Sequence, residues 1–411
     1  MNWYSMLMNF SFSNFSSFKN VQTFSLLASE KYSEHPENII DQKFLKSSLI
    51  YGANASGKTN FVDAFYAFRD IVLDSTSSED KKSQISQTEP FLLGEESNDE
   101  PTQFEITFEE NSLTYRYGLS FNKNEILEEW LYTKKLKETE VFFREKQKIV
   151  YKKTRFTELD GLIEDNSLNI ASTIPAISVA ALSSKKVCRT IINYIKKIKI
   201  ISGIDETGFK SVTYDLFKQD EEFREWALNI LKNFNIHNLI IDEIDSDQTN
   251  SRIKVRKLKV EVVKKTADGF KDFPISFESE GTRKVLYLLG PLYDSIKSNY
   301  LLIIDELDSK FHTLLTKEVL KIFHKFSTEK CQLIAVVQDS CLMDTSFIRP
   351  DQIWFIDKDW ATGKSEIYSL VEYKIKKKQS YSSDYLNGLY GAIPLFSSYE
   401  DIDNLMIKGT D

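Results

Sequence analysis

Residues 49–60 are Leu49-Ile50-Tyr51-Gly52-Ala53-Asn54-Ala55-Ser56-Gly57-Lys58-Thr59-Asn60. An apolar run here passes into the spacing G-x-x-x-x-G-K-T, and the apolar positions of residues 61–68 then recur at a helical period. This order of strand, glycine-containing loop and helix is typical of a phosphate-binding loop. The alternative is a glycine turn before a helix that happens to contain Lys-Thr.

The loop residues have separate predicted roles. Gly52 and Gly57 permit backbone angles that turn consecutive N–H groups toward a polyphosphate, and the next helix points its positive end at the same place. Lys58 is predicted to reach the β- and γ-phosphates of a nucleotide, and Thr59 to bind Mg²⁺. The remaining predicted phosphate contacts are Asn54, Ala55, Ser56 and Asn60.

A second apolar run, residues 300–304, ends in two acids, Asp305 and Glu306. An uninterrupted aliphatic run is typical of a strand buried on both faces of a parallel sheet, and ligands bind at the carboxyl ends of such strands. Asp305 is therefore predicted to hold Mg²⁺, and Glu306 to act as general base toward the attacking water. The alternative is a buried strand that ends in surface acids.

Between these two motifs lies the segment Glu278-Ser279-Glu280-Gly281-Thr282, followed by a helical pattern. Ser279 is a favourable N-cap, and Gly281 allows the backbone to approach a ligand. The segment could make a second phosphate contact at the positive end of the helix. Its alternative interpretation is simply a capped helix start.

Composition limits the classes of function. The 411 residues include 61 acidic and 53 basic side chains, a net charge of −8, which argues against general DNA binding. Basic segments within 185–199 and 252–259 could receive nucleic-acid phosphates, or could be solvated faces. The sequence has no apolar run long enough for a membrane span and no secretory pattern at its start, so a cytoplasmic protein is expected. Its cysteines and histidines lack metal-site spacing.

The order of patterns predicts an α/β fold in three parts. Residues 1–157 combine alternating strand patterns with the phosphate loop, residues 158–250 are predicted to be a helical insertion, and residues 251–411 carry the second half of the nucleotide machinery. We therefore expect an antiparallel N-terminal β subdomain, a central and mainly parallel sheet, and an inserted helical subdomain.

Together, the loop at 52–59, the segment 279–282 and residues 305–308 resemble the ABC-type ATPases of the SMC and RecF kind. The resemblance implies ATP and Mg²⁺ as ligands and a nucleotide held between two heads, in a homodimer or higher oligomer. It also implies that Ser279 and Gly281 contact the other head's nucleotide, and that Asp308 lies in a loop crossing the interface.

A compact group of these ATPases from phage-defence systems, the AbiL/RloA, PARIS AriA and Septu PtuA group, is similar over nearly the whole chain. The resemblance includes Tyr115-Arg116-Tyr117-Gly118, Asp351-Gln352-Ile353-Trp354-Phe355 and the ending around residues 385–394. It implies an ATPase that regulates a separate toxic effector, a nuclease or toxin, in abortive infection. A phage protein or nucleic acid could be the trigger, and no membrane partner is implied.

One position departs from the family pattern. Gln338 stands where the family usually has a switch histidine, and an amide cannot exchange a proton near neutral pH as imidazole does. Slow turnover is therefore expected, with Gln338 left to contact the γ-phosphate or water. The alternative function is a DNA-repair ATPase of the RecF kind that binds DNA directly.

Overall fold

A computed structural model describes residues 5–75, 83–93, 100–164, 167–183, 186–205, 207–244, 257–327, 331–375 and 380–394. The strands of these residues are β1 (Ser5–Ser13), β2 (Gln22–Ser25), β3 (Ile39–Ile40), β4 (Phe44–Leu45), β5 (Ser47–Tyr51), β6 (Thr102–Glu110), β7 (Leu113–Phe121), β8 (Ile126–Lys134), β9 (Glu138–Glu145), β10 (Lys148–Tyr151), β11 (Ile163–Glu164), β12 (Ser167–Leu168), β13 (Ile198–Ser202), β14 (Asn238–Ile244), β15 (Lys257–Thr266), β16 (Gly269–Pro274), β17 (Leu301–Asp305), β18 (Gln332–Val336), β19 (Ile353–Asp359) and β20 (Lys364–Ser369). The helices are α1 (Lys58–Asp74), α2 (Gln84–Gln87), α3 (Ala176–Ser183), α4 (Val187–Lys196), α5 (Thr207–Gln219), α6 (Glu221–Leu231), α7 (Glu280–Ser298), α8 (Thr313–Phe326) and α9 (Tyr381–Leu386).

The central sheet has six strands in the order β13-β17-β18-β5-β19-β20, and only its last pairing, β19 with β20, is antiparallel. Successive side chains of a strand point to opposite faces, and both faces of this sheet are covered. Leu301 and Ile303 accordingly pack in one hydrophobic core, whereas Leu302 and Ile304 pack in the other. The predicted α/β fold with a mainly parallel sheet is confirmed, and the aliphatic run is explained by burial on both sides.

A nine-stranded antiparallel sheet, in the order β11-β12-β10-β9-β8-β7-β6-β1-β2, covers the first core. Its β6 and β7 form the hairpin that the alternating pattern predicts. The two residues between them, Asn111 and Ser112, have φ values of 53° and 61°, as expected for the tight turn that matches strand twist. The predicted antiparallel β subdomain is thus present, and it packs against α1, the helix that follows the phosphate loop.

The predicted helical segment is divided between the two cores. Residues of α3 and α4 pack in the first core beside α1, and residues of α5 and α6 pack in the second beside α7. The segment also contributes β13, which pairs in parallel with β17 from Ile198 to Ser202 and forms the sheet edge. Ile198 therefore begins a strand, although its spacing from Ile191 and Ile195 fits the helical pattern.

A three-stranded antiparallel sheet, β14-β15-β16, leads directly into the start of α7. Of the basic segment 252–259, residues from Lys257 onward lie in β15, and Arg252, Lys254 and Arg256 are outside the described residues. Lys259 of β15 pairs with Glu261 at 2.9 Å. In the described part of the chain, no helix is long and apolar enough to cross a membrane.

A buried ion pair joins the antiparallel sheet to α3. Glu129 and Arg144 are both fully buried, with Arg144 Nη1 3.1 Å from Glu129 Oε2. The same carboxylate accepts hydrogen bonds from the N–H groups of Ala176 and Ile177 at 2.8 and 3.2 Å, so it caps the start of α3. Removing either partner would leave a buried charge without compensation, which typically costs about 3–5 kcal/mol.

His324 in α8 is expected to make the fold sensitive to acid. Burial, with Lys46 nearby, lowers the pKa of His324 to about 4 from its ordinary value of 6.5. Its Nε2 lies 2.7 Å from Ser47 Oγ, which is also contacted by Gln352 Nε2 at 2.9 Å. Because the folded-state pKa is depressed, the contribution of the neutral histidine to the free energy of unfolding is complete above pH 6.5. The free energy of unfolding then decreases by roughly 3 kcal/mol as the pH falls toward 4.

The measurement is Tm at pH 7 and pH 4.5 for the wild type and for His324→Gln. We expect the wild type to lose more Tm than the variant, because titrating carboxylates are common to both proteins. Equal losses would contradict a neutral, buried histidine in α8 that packs against the start of β5.

Candidate functional site

The phosphate loop is shaped by glycine at both ends. Gly57 has a φ of 113°, and a Cβ there would lie 2.7 Å from Ser17 Oγ and 2.8 Å from Ser365 Oγ. A Cβ on Gly52 would lie 2.3 Å from the carbonyl oxygen of Ile356 in β19. Neither position accepts a larger side chain without displacing its neighbours, so the spacing of the two glycines follows from the packing around the loop.

Two serines far away in the sequence support the outer side of the loop. Ser365 Oγ donates to the carbonyl oxygen of Ser56 at 2.6 Å and lies 2.8 Å from Ser17 Oγ. The side-chain amide of Asn60 donates to Ser17 Oγ at 2.8 Å. The side chain of Asn60, a predicted phosphate contact, thus also ties the start of α1 to residue 17. No local motif in the sequence marks Ser365 for this role.

Lys58 lies inside the loop rather than on its surface. Its Nζ donates to the carbonyl oxygens of Gly52 and Ala53 at 2.7 and 2.8 Å, and the residue is only 8% exposed. Burial lowers the pKa of Lys58, and the carboxylates of Asp305 and Glu306 oppose that effect. The loop carbonyl oxygens therefore hold the Lys58 ammonium group in place within the predicted phosphate-binding loop. Of the other predicted loop contacts, Asn54 and Ala55 are exposed and Ser56 is buried.

Thr59 and Asp305 meet across the edge of the sheet. Thr59 Oγ1, at the start of α1, donates to Asp305 Oδ2 at 3.0 Å, although 246 positions separate the two residues. The second oxygen of this carboxylate, Oδ1, is buried and has no hydrogen-bond partner among the described residues. Burial raises the pKa of Asp305. A hydroxyl beside a carboxylate with an oxygen to spare fits Mg²⁺, which takes one or two protein ligands and completes its shell with phosphate and water.

Glu306 and Asp308 occupy the loop that follows β17. Glu306 has a φ of 53°, an uncommon conformation for a residue with a side chain. Asp308 Oδ2 accepts hydrogen bonds from the N–H groups of Gln338 and Asp339 at 2.7 and 2.6 Å. The loop after β17 and the loop after β18 are thus joined, and Gln338 is exposed at this same edge. Within one chain, the Asp308 carboxylate already has partners.

The segment 279–282 lies beside these loops. Ser279 caps α7 by accepting from the N–H of Thr282 at 3.1 Å, as predicted, and it is exposed. A Cβ on Gly281 would lie 3.1 Å from the carbonyl oxygen of Lys310, so the start of α7 is close to the loop after the two acids. Phe277, just before this segment, is 76% exposed. The structure therefore brings the predicted second contact to the surface next to the sheet edge.

Comparison with solved structures gives distant likenesses. The chain is similar to an SMC head domain from Thermotoga maritima, with 13% identity, a TM-score of 0.44, and coverage of 90% of this chain and 100% of that one. It is also similar to an SmcHead bound to the C-winged helix domain of ScpA, with 13% identity, a TM-score of 0.43 and coverage of 89% and 97%. A third similar structure is the Smc head domain with an extended coiled coil, bound to the C-terminal domain of ScpA, from Pyrococcus furiosus. It has 12% identity, a TM-score of 0.40, and coverage of 94% of this chain and 99% of that one.

No protein of curated function matches the sequence significantly. Residues 47–336, well over half of the chain, match the profile of a protein family. That stretch begins at β5, before the phosphate loop, and ends with β18, so it includes both loop and acids. The chain therefore belongs to the family described as "AAA domain, putative AbiEii toxin, Type IV TA system".

Proposed function

We propose that this chain binds ATP with Mg²⁺ and hydrolyses it slowly, as an ABC-type ATPase that works as a homodimer. One observation carries the proposal: Thr59 Oγ1 and Asp305 Oδ2 meet at 3.0 Å beside the buried Lys58. A phosphate loop, a cation and a carboxylate with a spare oxygen are the parts that phosphoryl transfer requires, since its catalysis is mostly positioning and charge stabilisation.

In this proposal each residue has a defined task. The loop N–H groups and Lys58 bind the phosphates, and Thr59 and Asp305 would hold Mg²⁺, which neutralises developing charge on the phosphate oxygens when bound. Glu306 takes the proton of the attacking water, and Gln338 orients that water or the γ-phosphate. Because Gln338 cannot act as an acid or base near neutral pH, the proposed turnover is slow.

The dimeric part of the proposal is supported by the surface position of Ser279 and Gly281. Helix α7 has 19 residues, and its positive end lies at the surface beside the sheet edge, where it could meet the phosphates bound by a second copy. The exposed ring of Phe277 adjoins this end. Asp308 would join that interface only if part of its loop is exposed to the partner, since its carboxylate is bonded within the chain.

A biological role in phage defence is the further part of the proposal. The family description refers to a toxin and a Type IV TA system, which supports a regulatory ATPase in a system of more than one component. We propose that ATP-dependent assembly holds or releases a separate toxic effector, a nuclease or toxin. In cells that carry the gene with its adjacent reading frames, phage plaque numbers should fall, and equal numbers with and without the gene would contradict this role.

The biochemical part is tested on the purified chain. Phosphate release should require both ATP and Mg²⁺, and light scattering coupled to size exclusion should show the mass of a dimer with a non-hydrolysable ATP analogue. The matched control omits nucleotide and should show a smaller mass. Absence of nucleotide binding by calorimetry would overturn the proposal, whereas binding without a change in mass would overturn only the dimer.

A further inference from the structure

Lys284 is a lysine that the proposed nucleotide chemistry does not use. It lies one turn beyond the start of α7 and is fully buried. Lysine is almost never fully buried unless its ammonium group is compensated, because desolvating the charge is costly. Its surroundings therefore have to supply the compensation.

The compensation comes from the loop that carries Glu306. Lys284 Nζ lies 3.2 Å from the carbonyl oxygen of Glu306, 2.8 Å from that of Leu307 and 2.7 Å from that of Ser309. It is also 3.0 Å from Ser309 Oγ and 4.6 Å from the centre of the Phe311 ring. Four oxygen atoms thus share three N–H groups, and an aromatic face covers the remaining side.

The same loop is held by two other elements of the chain. Ser309 Oγ lies 3.2 Å from the carbonyl oxygen of Gly203, which follows β13, and the N–H of Gly203 donates to the Asp305 carbonyl at 2.6 Å. Glu306 and Lys310 have φ values of 53° and 64°, and such conformations persist only where the surroundings impose them. With contacts to four oxygen atoms of the loop, Lys284 constrains it from the side of α7.

We propose that Lys284 is a positioning residue that ties the start of α7 to the Glu306 loop of the same chain. This inference rests on the proposed function and adds a positioning residue to the same site. By holding the carbonyl oxygens of residues 306, 307 and 309, Lys284 fixes the position of Glu306 for the proposed hydrolysis step.

The test compares Lys284→Met with Lys297→Met, a lysine of the same helix that is partly exposed and pairs with Glu222. Methionine fills a similar volume but donates no hydrogen bond, so the loop carbonyls lose their donor. We expect kcat to fall roughly 10- to 100-fold, as for a general base displaced by about 1 Å, with KM nearly unchanged. Lys297→Met should behave like the wild type. Ser309→Ala, a milder change, should shift the same quantities less.

Hydrogen exchange measures the contact without requiring turnover. In Lys284→Met, the backbone amides of residues 306–312 should exchange faster, whereas those of residues 52–60 should be unchanged. If Lys284 only stabilised the fold, Tm and ATP affinity would fall together with kcat, and this outcome would overturn the inference. Unchanged exchange at residues 306–312 would also overturn it. A wild type that binds no ATP would instead refute the proposed function.

Discussion

Glu306→Gln is expected to abolish most ATP hydrolysis while leaving ATP binding intact. An amide has nearly the shape of the carboxylate but cannot accept the proton of the attacking water, and a general base typically contributes 10²–10⁴-fold in rate. The hydrogen bonds that hold residue 306 use its backbone oxygen, as in the contact with Lys284 Nζ at 3.2 Å. The fold of the loop is therefore expected to survive, and turnover should fall roughly 100-fold or more.

With hydrolysis blocked, the proposed dimer should persist in ATP. Phosphate release gives the rate, and size exclusion with light scattering after addition of Mg²⁺ and ATP gives the mass. Glu318→Gln is the matched control, because Glu318 is an exposed glutamate of α8 that pairs with Lys321. Should Glu306→Gln retain the wild-type rate, Glu306 is not the general base, and the proposed mechanism fails at that step.

The local parts of the site could be predicted from sequence because each is written in a short pattern. Glycine spacing fixes the loop, and the aliphatic run ending in Asp305 requires a strand buried on both faces. Parallel strands place their carboxyl ends at one edge, so the meeting of Thr59 and Asp305 followed from topology, without any local signal linking them. Ser279 as an N-cap was likewise predictable, since capping depends on one residue and the turn after it.

What could not be predicted depends on long-range packing. Ser17 and Ser365 meet behind the phosphate loop across 348 positions of sequence, and nothing in either neighbourhood specifies the other. Helical periodicity shows that a segment has an apolar face but not which core that face covers. The division of helices α3 to α6 between two cores was therefore not predicted. Ile198 shows the same limit, since pairing with β17 overrides its helical spacing.

Lys58→Ala should weaken ATP binding roughly 100-fold, the effect of losing about 3 kcal/mol of charged hydrogen bonds to phosphate. Lys58→Ala should change the Tm of the nucleotide-free protein only slightly. Lys58 Nζ is bonded to two loop carbonyls, but burial of the cation costs free energy, as its lowered pKa indicates. Calorimetric titration with ATP measures the affinity, and Lys148→Ala, an exposed lysine of β10, is the matched control.

The two measurements separate a ligand-binding lysine from a structural one. If Lys58 served only to close the loop onto Gly52 and Ala53, its removal would lower Tm in the absence of nucleotide. ATP affinity would then change only in proportion to that loss of stability. If it binds phosphate, Tm without nucleotide stays near the wild-type value, whereas the rise in Tm on adding ATP disappears, because stabilisation by a ligand depends on its affinity for the folded state. A variant that keeps wild-type ATP affinity would show that the buried cation does not reach the phosphates, and the nucleotide site would then have to be sought elsewhere on the sheet edge.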